Sequence, residues 1–275
     1  MSGRSLASLP VMNRTTPLVM GVLNATPDSF YEESRISGGA AVDRGIAMVE
    51  AGADWIDIGG ESSRPGANPV DTDLEISRIL PVVDGLAGRA RISIDTIKVE
   101  VATAAVAAGA TLINDVSGDL APVAADLGVG WVAMHAQGMP ATMQDAPHYD
   151  DVVAEVSAWL EAKGTEARAL GVTDLWLDPG IGFGKTFDHN WTLLRHADEL
   201  AELARGLGAR LLLGTSRKRF LGDAGGPGLA PSERLAASLA TALAAMEAGA
   251  AMVRVHDVTA TVQAARVFAE EVVVR

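Results

Sequence analysis

The 275-residue chain contains no cysteine, which excludes disulfide bonds, thiolate metal ligands and a cysteine nucleophile. Aromatic residues make up only 4% of the sequence. The core is therefore expected to consist mainly of alanine, valine, leucine and isoleucine, which fill parallel sheets and the helices that cover them. With 48% hydrophobic and 21% charged residues, the composition predicts a well-filled core and argues against disorder.

Basic residues are scarce, because 22 Lys and Arg stand against 35 Asp and Glu, for a net charge of −13. This balance argues against duplex nucleic acid or an anionic membrane as the main partner, since both require a basic surface. The first residues, Met1 to Arg14, lack the apolar stretch of a secretory signal. No apolar run is long enough and free enough of charge to span a bilayer. We therefore expect a soluble cytoplasmic enzyme.

One pattern repeats along the chain: a short apolar run, a polar loop and an alanine-rich amphipathic stretch. The candidate strands are Leu18–Leu23, Trp55–Gly59, Arg91–Asp95, Thr111–Asn114, Trp131–Met134, Leu175–Asp178, Arg210–Gly214 and Met252–Val255. The helical stretches that follow them are Ala40–Ala51, Leu74–Leu86, Val99–Ala108, Ala121–Leu127, Asp150–Leu170, Asn190–Leu207, Ser232–Ala248 and Ala260–Val273. These alternating units predict an α/β fold, a single (β/α)8 TIM barrel over residues 1–275 with 1–16 as a loose lead-in. A doubly wound sheet is the alternative, and it would need a reversal of strand order.

Polar or charged residues stand at the end of almost every predicted strand. They are Asn24, Gly59-Gly60-Glu61, Asp95, Asn114-Asp115, His135, Asp178, Ser216-Arg217-Lys218 and Arg254 with His256. Any one of them alone is explained as a loop or helix cap. Capping gives no reason to gather acids, amides and bases at one rim, and barrel enzymes place their chemistry on the loops after the strands. The set therefore predicts an active site.

The chemistry of these residues divides into two kinds. Carboxylates and amides such as Asp95, Asn114 and Asp178 suit a flat heterocycle that carries an amino group beside a ring N–H. Lys218 supplies a donor for a ring carbonyl or ring nitrogen.

The second kind consists of Arg64, Arg254 and His256, which are donors suited to phosphate oxygens. The free N–H groups of the helix that follows His256 would add to an anion site there. We therefore expect a ligand with a flat ring and an anionic group.

The glycine-rich segment from Asp178 to Thr186 ends in Gly184-Lys185-Thr186, which suggests a P-loop. That motif requires glycine at position 179, where this chain has Pro179. We therefore reject a nucleoside triphosphatase. The glycines are instead expected to let the backbone approach a flat ligand, with Phe183 as a wall of the site.

The same segments resemble the motifs of the dihydropteroate synthase family. The matching segments, in order, are Asn24–Phe30, Asp57–Gly66, Ser93–Thr96, Ile113–Asp115, Met134-His135, Asp178–Thr186, Ser216–Lys218 and Arg254–Asp257. The resemblance covers the chain from Val19 onward, and several long motifs in one order make it specific. It implies a pterin-binding barrel and a transferase of folate biosynthesis. That enzyme condenses p-aminobenzoate with 6-hydroxymethyl-7,8-dihydropterin diphosphate to give 7,8-dihydropteroate and pyrophosphate.

The resemblance also implies residue roles and partners. The pterin would be held by Asp95, Asn114, Asp178 and Lys218, and the diphosphate by Asn24, Arg64, Arg254 and His256. Mg²⁺ would lie near Asn24, with Asp28 close by, and the p-aminobenzoate subsite would comprise Phe30, Ser63, Pro65, Phe183 and Ser216. The catalytic set is Asn24, Arg64, Lys218, Arg254 and His256. Such enzymes are typically homodimers formed through their late helices.

The first loop departs from the family pattern. After Phe30 the family usually continues with Ser-Asp-Gly-Gly, whereas this chain has Tyr31-Glu32-Glu33-Ser34-Arg35. Two added carboxylates would repel an anionic substrate unless they turn toward solvent. Ser63 also replaces the usual threonine and keeps the hydroxyl.

These departures leave a second hypothesis open, a synthase-like paralogue that binds a pterin with little or no synthase activity. A third is a barrel methyltransferase domain that binds a methylated folate. Such a domain needs no diphosphate site, so Arg64, Arg254 and His256 count against it.

Overall fold

The computed structural model describes residues 16–25, 39–61, 69–138, 142–226 and 228–270. Eight parallel strands close into a barrel in chain order, and β1 pairs with β8. The strands are β1 Leu18–Asn24, β2 Trp55–Gly59, β3 Arg91–Asp95, β4 Leu112–Asp115, β5 Gly130–Met134, β6 Leu175–Asp178, β7 Arg210–Leu213 and β8 Met252–Val255. The predicted (β/α)8 barrel is confirmed, with strand ends shifted by at most one residue from those expected.

At least one helix follows each strand. The helices are α1 Gly39–Glu50, α2 Thr72–Leu86, α3 Val99–Ala108, α4 Ala121–Leu127, α5 Val152–Ala169, α6 Phe187–Arg195, α7 Ala197–Gly206, α8 Arg219–Ala224, α9 Leu235–Glu247 and α10 Val258–Ala269. A 3₁₀ turn, Pro231–Glu233, precedes α9. Among the described residues no helix is long and apolar enough to cross a membrane.

The helix predicted for Asn190–Leu207 is wrong in one respect, because the chain forms two helices that meet at His196. The ring of His196 bonds to the carbonyl of Thr192, and its backbone leaves helical geometry between α6 and α7. Apolar residues continue at helical spacing through Leu193, Ala197 and Leu200, all of them buried. The pattern therefore runs through the break, which hydrophobic periodicity alone does not reveal.

The barrel interior is filled by a plug of seven buried apolar side chains from seven strands. They are Met20, Trp55, Leu112, Val132, Trp176, Leu212 and Met252. A separate and larger cluster packs between the sheet and the surrounding helices. Side chains two positions apart on a strand face the same side, so the residues that follow these on each strand also face the interior.

This alternation positions the polar residues above the plug. Asp57 comes two residues after Trp55, Asn114 after Leu112, Asp178 after Trp176, and Arg254 after Met252. The strand register pairs Asp95 with Asn114. The carboxyl end of the barrel therefore carries a polar layer directly on top of an apolar one.

Candidate active site

Two carboxylates and one guanidinium form an ion-paired cluster in the barrel interior. Arg254 Nε donates to Asp57 Oδ2 over 2.6 Å, and Arg254 Nη2 donates to Asp95 Oδ2 over 2.8 Å. Asn114 Nδ2 also donates to Asp57 Oδ2, over 3.0 Å. The three charged side chains are 0–19% exposed. The predicted heterocycle residues and the predicted anion residue Arg254 are thus in direct contact, and the two expected halves of the site share a wall.

Burial shapes the ionisation of this cluster. It raises the pKa of Asp95 to about 7, with Arg254 opposing the rise and Asp57 adding to it. Burial also acts to lower the pKa of Arg254, but the charges of Asp57 and Asp95 outweigh it, and the pKa of Arg254 is raised. Arg254 therefore stays charged, while Asp95 titrates close to neutrality.

Two buried acceptors in this layer have no hydrogen-bond partner among the described residues, namely Oδ1 of Asp57 and Oδ1 of Asn114. A buried oxygen without a donor costs about 1–3 kcal/mol, so such atoms mark a place where a ligand donor fits. Asp57 was not among the predicted site residues. The available signal was its alternation with Trp55, which points an aspartate into a barrel interior.

Asp178 and Lys218 form the opposite side of the site, after β6 and β7. Asp178 is buried, and its Oδ1 accepts from the backbone N–H of Gly180 over 2.7 Å. Burial raises the pKa of Asp178, which the charge of Lys218 opposes. Lys218 Nζ donates to the carbonyl of Ile181, and burial lowers the pKa of this amine to about 8 although Asp178 acts in the opposite direction.

The glycine-rich loop after β6 packs against the loop after β5. Gly180 and Gly184 have φ of 65° and 60°, and a Cβ on either would overlap a backbone carbonyl oxygen, of His135 and Gln137 respectively. The expectation that these glycines serve a ligand is therefore corrected, because the chain itself occupies the space. Gly182 is the glycine that faces the site, against the Lys218 side chain.

Lys218 also lies beside Phe183, the predicted wall residue, with Lys218 Nζ 4.8 Å from the centre of the ring. The structure thus brings Phe183 to the same side of the site as Lys218 and Asp178.

The loop after β7 is joined to the loop after β8. Ser216 Oγ accepts from the backbone N–H of His256 over 3.1 Å and lies 3.2 Å from His256 Nδ1. Arg217, with a left-handed φ of 59°, makes a two-pronged ion pair with Asp257, the N-cap residue of α10. Ser216 and His256 are therefore neighbours at the start of α10, and the backbone N–H groups of a helix N-terminus favour an anion.

Lys98 bridges the two ends of the loop after β2. Its Nζ donates to Glu61 over 2.5 Å, to Glu75 over 2.6 Å and to the carbonyl of Val70 over 2.6 Å. Thr96 donates to the other oxygen of Glu75. This partly buried network was not predicted, because it joins residues of the loop after β2, of α2 and of the loop after β3.

Several predicted residues lie outside the described part of the chain. They are Asp28, Phe30, Tyr31-Glu32-Glu33, Ser63, Arg64 and Pro65. Asn24 is described: it is half-buried at the end of β1, where the register pairs it with Gly59. The structure thus brings Asp95, Asn114, Asp178, Lys218 and Arg254 to one end of the barrel, with Ser216 and His256 at the adjoining rim.

Comparison with known proteins gives a consistent result. A family model described as a pterin binding enzyme matches residues 20–256. The dihydropteroate synthase of Mycobacterium leprae (strain TN) is 48% identical over 264 residues, which cover 90% of this chain and 91% of that protein.

Two solved structures of Xanthomonas albilineans dihydropteroate synthase are similar over 92% of both chains. The structure with 4-aminobenzoic acid has a TM-score of 0.83 at 45% identity. The structure in complex with 7,8-dihydropteroate has a TM-score of 0.80 at 42% identity. The likeness therefore extends over most of the chain.

Proposed function

This chain belongs to the dihydropteroate synthase family, and we propose that it joins p-aminobenzoate to 6-hydroxymethyl-7,8-dihydropterin diphosphate, releasing 7,8-dihydropteroate and pyrophosphate. Related structures bind 4-aminobenzoic acid and 7,8-dihydropteroate. The observation in this chain that carries the proposal is the pair of buried acceptors, Asp57 Oδ1 and Asn114 Oδ1, that have no donor among the described residues. A pterin ring, with an amino group beside a ring N–H, presents the donors that such oxygens accept.

The pterin would lie between the two sides of the site. Asp95, Asn114 and Asp178 would accept from its ring donors, and Lys218 would donate to its ring carbonyl or a ring nitrogen. Asp57 joins this set because its unpartnered oxygen lies in the same layer. The plug below this layer closes the barrel, so the ring would enter from the carboxyl end.

The diphosphate would be held by Asn24, Arg64, Arg254 and His256. Arg254 is positioned for this role by Asp57 and Asp95, which fix its guanidinium and keep it charged. His256 stands directly before α10, whose N-terminal N–H groups favour negative charge.

We also propose Mg²⁺ at the diphosphate. Asn24 offers a half-buried amide oxygen at the rim, an acceptable ligand for this ion. Within the described ranges no group of three His, Cys, Asp or Glu is placed to hold a metal. Such a sparse site suits Mg²⁺, because the ion usually keeps several waters and takes further oxygens from substrate phosphates. When bound, it would neutralise charge that develops on the departing pyrophosphate.

The reaction exchanges one bond for another at the pterin methylene carbon. The C–O bond breaks, and pyrophosphate leaves with the electron pair while Arg254 and His256 stabilise its charge. The amine nitrogen of p-aminobenzoate attacks the carbon, a C–N bond forms, and the amine loses one proton to solvent water. An arylamine is a free nucleophile near neutral pH, so positioning and electrostatics supply most of the catalysis.

The arylamine would occupy a subsite formed by Phe30, Ser63, Pro65, Phe183 and Ser216. Two of these residues are described, and both adjoin the pterin side: Phe183 lies against Lys218, and Ser216 is two residues before it. A homodimer formed through the late helices and a cytoplasmic location stay predictions from the family resemblance.

The test is release of pyrophosphate by the purified protein. We expect release only when pterin diphosphate, p-aminobenzoate and Mg²⁺ are all present, and each omission serves as a control. Growth of a strain that lacks its own synthase, when supplied with this chain, is the matching result in cells. Tight pterin binding without turnover would instead identify the chain as a non-synthase paralogue.

A second arm of the test separates the two subsites. His256→Ala is expected to weaken the diphosphate substrate by about tenfold or more, since hydrogen bonds to charged groups contribute about 1.5–3 kcal/mol. Its effect on the pterin alcohol, which lacks the phosphates, should be small. Equal losses for both ligands would contradict the assignment of His256 to the anion.

A further inference from the structure

Four consecutive carbonyls of the loop after β6 are each held by a side chain. Lys218 donates to the carbonyl of residue 181, Gln144 to that of 182 over 2.7 Å, Lys185 to that of 183 over 3.1 Å, and Tyr149 to that of 184 over 3.0 Å. The backbone N–H of residue 182 donates to Asn190 over 2.6 Å. The shape of this loop is therefore set by side chains rather than by a strand or helix ladder.

Lys185 is the unusual member of this group. It is only 2% exposed, and its Nζ contacts neutral partners: His135 Nδ1 at 2.9 Å and the carbonyl of Phe183. Within the described part of the chain no carboxylate pairs with it. Burial lowers the pKa of Lys185 to about 7, against the influence of Asp178.

Stability does not explain a lysine at this position. A buried amine without a carboxylate partner is costly, and an apolar side chain of similar volume is often as stable or more so. Burial also lowers the pKa of His135 to about 3, so its ring stays neutral and can accept from Lys185. The amine thus connects two loops that flank the site, the one after β5 and the one after β6.

We propose that Lys185 is a positioning residue that, through the carbonyl of Phe183, holds the Phe183 ring against Lys218 and so sets the affinity for p-aminobenzoate. The proposal rests on the proposed function, which places Phe183 in the arylamine subsite. Residues 182 and 183 lie directly on Lys218: a Cβ on Gly182 would stand 3.1 Å from Lys218 Cδ, and the Phe183 ring is 4.8 Å from Lys218 Nζ. A loop freed from Lys185 would no longer present that ring in one place.

The first experiment compares Lys185→Met with the wild-type protein in steady-state kinetics. We expect KM for p-aminobenzoate to rise about tenfold, which corresponds to a loss of about 1.4 kcal/mol of binding free energy. We expect kcat and KM for pterin diphosphate to stay within about twofold, because Asp57, Asp95 and Asn114 lie on other strands, and Asp178 and Lys218 bond to residues 180 and 181 rather than to the carbonyl of Phe183. Lys163→Met is the matched control, since Lys163 is a partly exposed residue of α5 that pairs with Asp119 and Glu166.

The second variant guards against a folding failure. Tyr149→Phe removes only the hydroxyl that donates to the carbonyl of Gly184. We expect it to raise KM for p-aminobenzoate by about threefold, which is less than the tenfold expected for Lys185→Met. If Lys185→Met does not fold, as judged by loss of a cooperative thermal transition, Tyr149→Phe decides the question.

Three results overturn the inference. The first is an unchanged KM for p-aminobenzoate in the folded Lys185→Met protein, or in Tyr149→Phe if Lys185→Met does not fold. The second is a loss shared equally by both substrates, which would mean that Lys185 is merely structural. The third is a wild-type protein without turnover, which removes the proposed function and this inference together. If the wild-type protein is active and the variant has an unchanged KM for p-aminobenzoate, only the inference about Lys185 is contradicted.

Discussion

The two sides of the site hold their charges in different ways. On the ion-paired side, Arg254 is bonded directly to Asp57 and Asp95. On the loop side, Asp178 and Lys218 bond mainly to backbone groups of the loop after β6. Strands fix the first arrangement and a loop fixes the second. Substitutions on the ion-paired side should therefore reduce stability and activity together, whereas substitutions on the loop side should first reduce the affinity for substrate.

The largest effect is expected from Arg254→Met. This change leaves two buried carboxylates without their counter-ion, which typically costs about 3–5 kcal/mol of unfolding free energy. Turnover should fall with it, by about a hundredfold or more, because the leaving group loses a cation. Denaturant titration and pyrophosphate release measure the two losses. Arg195→Met on the exposed face of α6 is the control. A stable Arg254→Met protein would mean that the carboxylates do not need the ion pair.

The second-largest effect is expected on pterin affinity, from the substitution Asp95→Asn and from pH. Asp95→Asn should weaken pterin binding by roughly 10- to 100-fold, since a charged acceptor is replaced by a neutral amide. The pKa of Asp95 lies near 7 in the free protein, so its carboxylate gains a proton as pH falls through 7. Wild-type pterin affinity should therefore decline below pH 7, by at most about tenfold per pH unit.

The comparison is made by calorimetric titration of the pterin into wild type and into Asp95→Asn, from about pH 5 to about pH 8. The wild-type affinity should slope with pH, and the Asp95→Asn affinity should be flat. Parallel profiles would remove Asp95 as the titrating group.

Much of the site can be predicted from the sequence, because polar residues stand at or shortly after the ends of buried strands. This pattern predicts Asp95, Asn114 and Arg254 on the ion-paired side and Asp178 and Lys218 on the loop side, and the structure places all five at one end of the barrel. Asp57 is not among the predicted residues, because it lies in the middle of β2 and not at the end of the strand. The alternation of side chains along β2, which puts Asp57 on the same face as Trp55, predicts that Asp57 faces the barrel interior.

The contacts between the strands could not be predicted. The bond of Arg254 to Asp95 spans 159 positions of sequence, and that of Lys185 to His135 spans 50. The residue types predict that these side chains can bind a ligand, but they do not predict that the side chains bond to one another. The loop side depends on such contacts throughout, so the sequence predicts a ligand at Gly180 and Gly184 where the structure has backbone of the loop after β5.

A smaller effect is expected for Lys185 in the dependence of stability on pH. Its pKa is about 7 in the folded protein and near 10.5 when unfolded. Between these values the unfolded chain binds the extra proton, so wild-type stability should rise with pH relative to Lys185→Met. The gain is about 1.4 kcal/mol per pH unit at most, and it should vanish below pH 7, where both states are protonated.

Denaturant midpoints of both proteins at a series of pH values measure this difference, with Lys163→Met as the partly exposed control. Asp178, Lys218 and His135 surround the amine and are common to all three proteins, but the charge of Lys185 itself acts to lower the pKa of Asp178 and of His135, so Lys163→Met is the protein in which those titrations are unchanged. A stability difference that does not change above pH 7 would mean that the amine stays charged, and the loop side would then hold a full buried charge.

The smallest effect is expected at Arg217, which joins the two sides. Its left-handed φ of 59° costs a non-glycine residue roughly 1 kcal/mol, while its partly exposed ion pair with Asp257 contributes about as much. Arg217→Gly loses the ion pair and relieves the strain, so its unfolding free energy should stay within about 0.5 kcal/mol of wild type. Arg217→Ala loses the pair and keeps the strain, so it should be less stable by about 1 kcal/mol. Both retain the backbone bonds of residue 217 to Ser238 and Arg234. If glycine destabilises as much as alanine, the ion pair rather than the turn holds the loop after β7 to that after β8, and the two sides are coupled through charge.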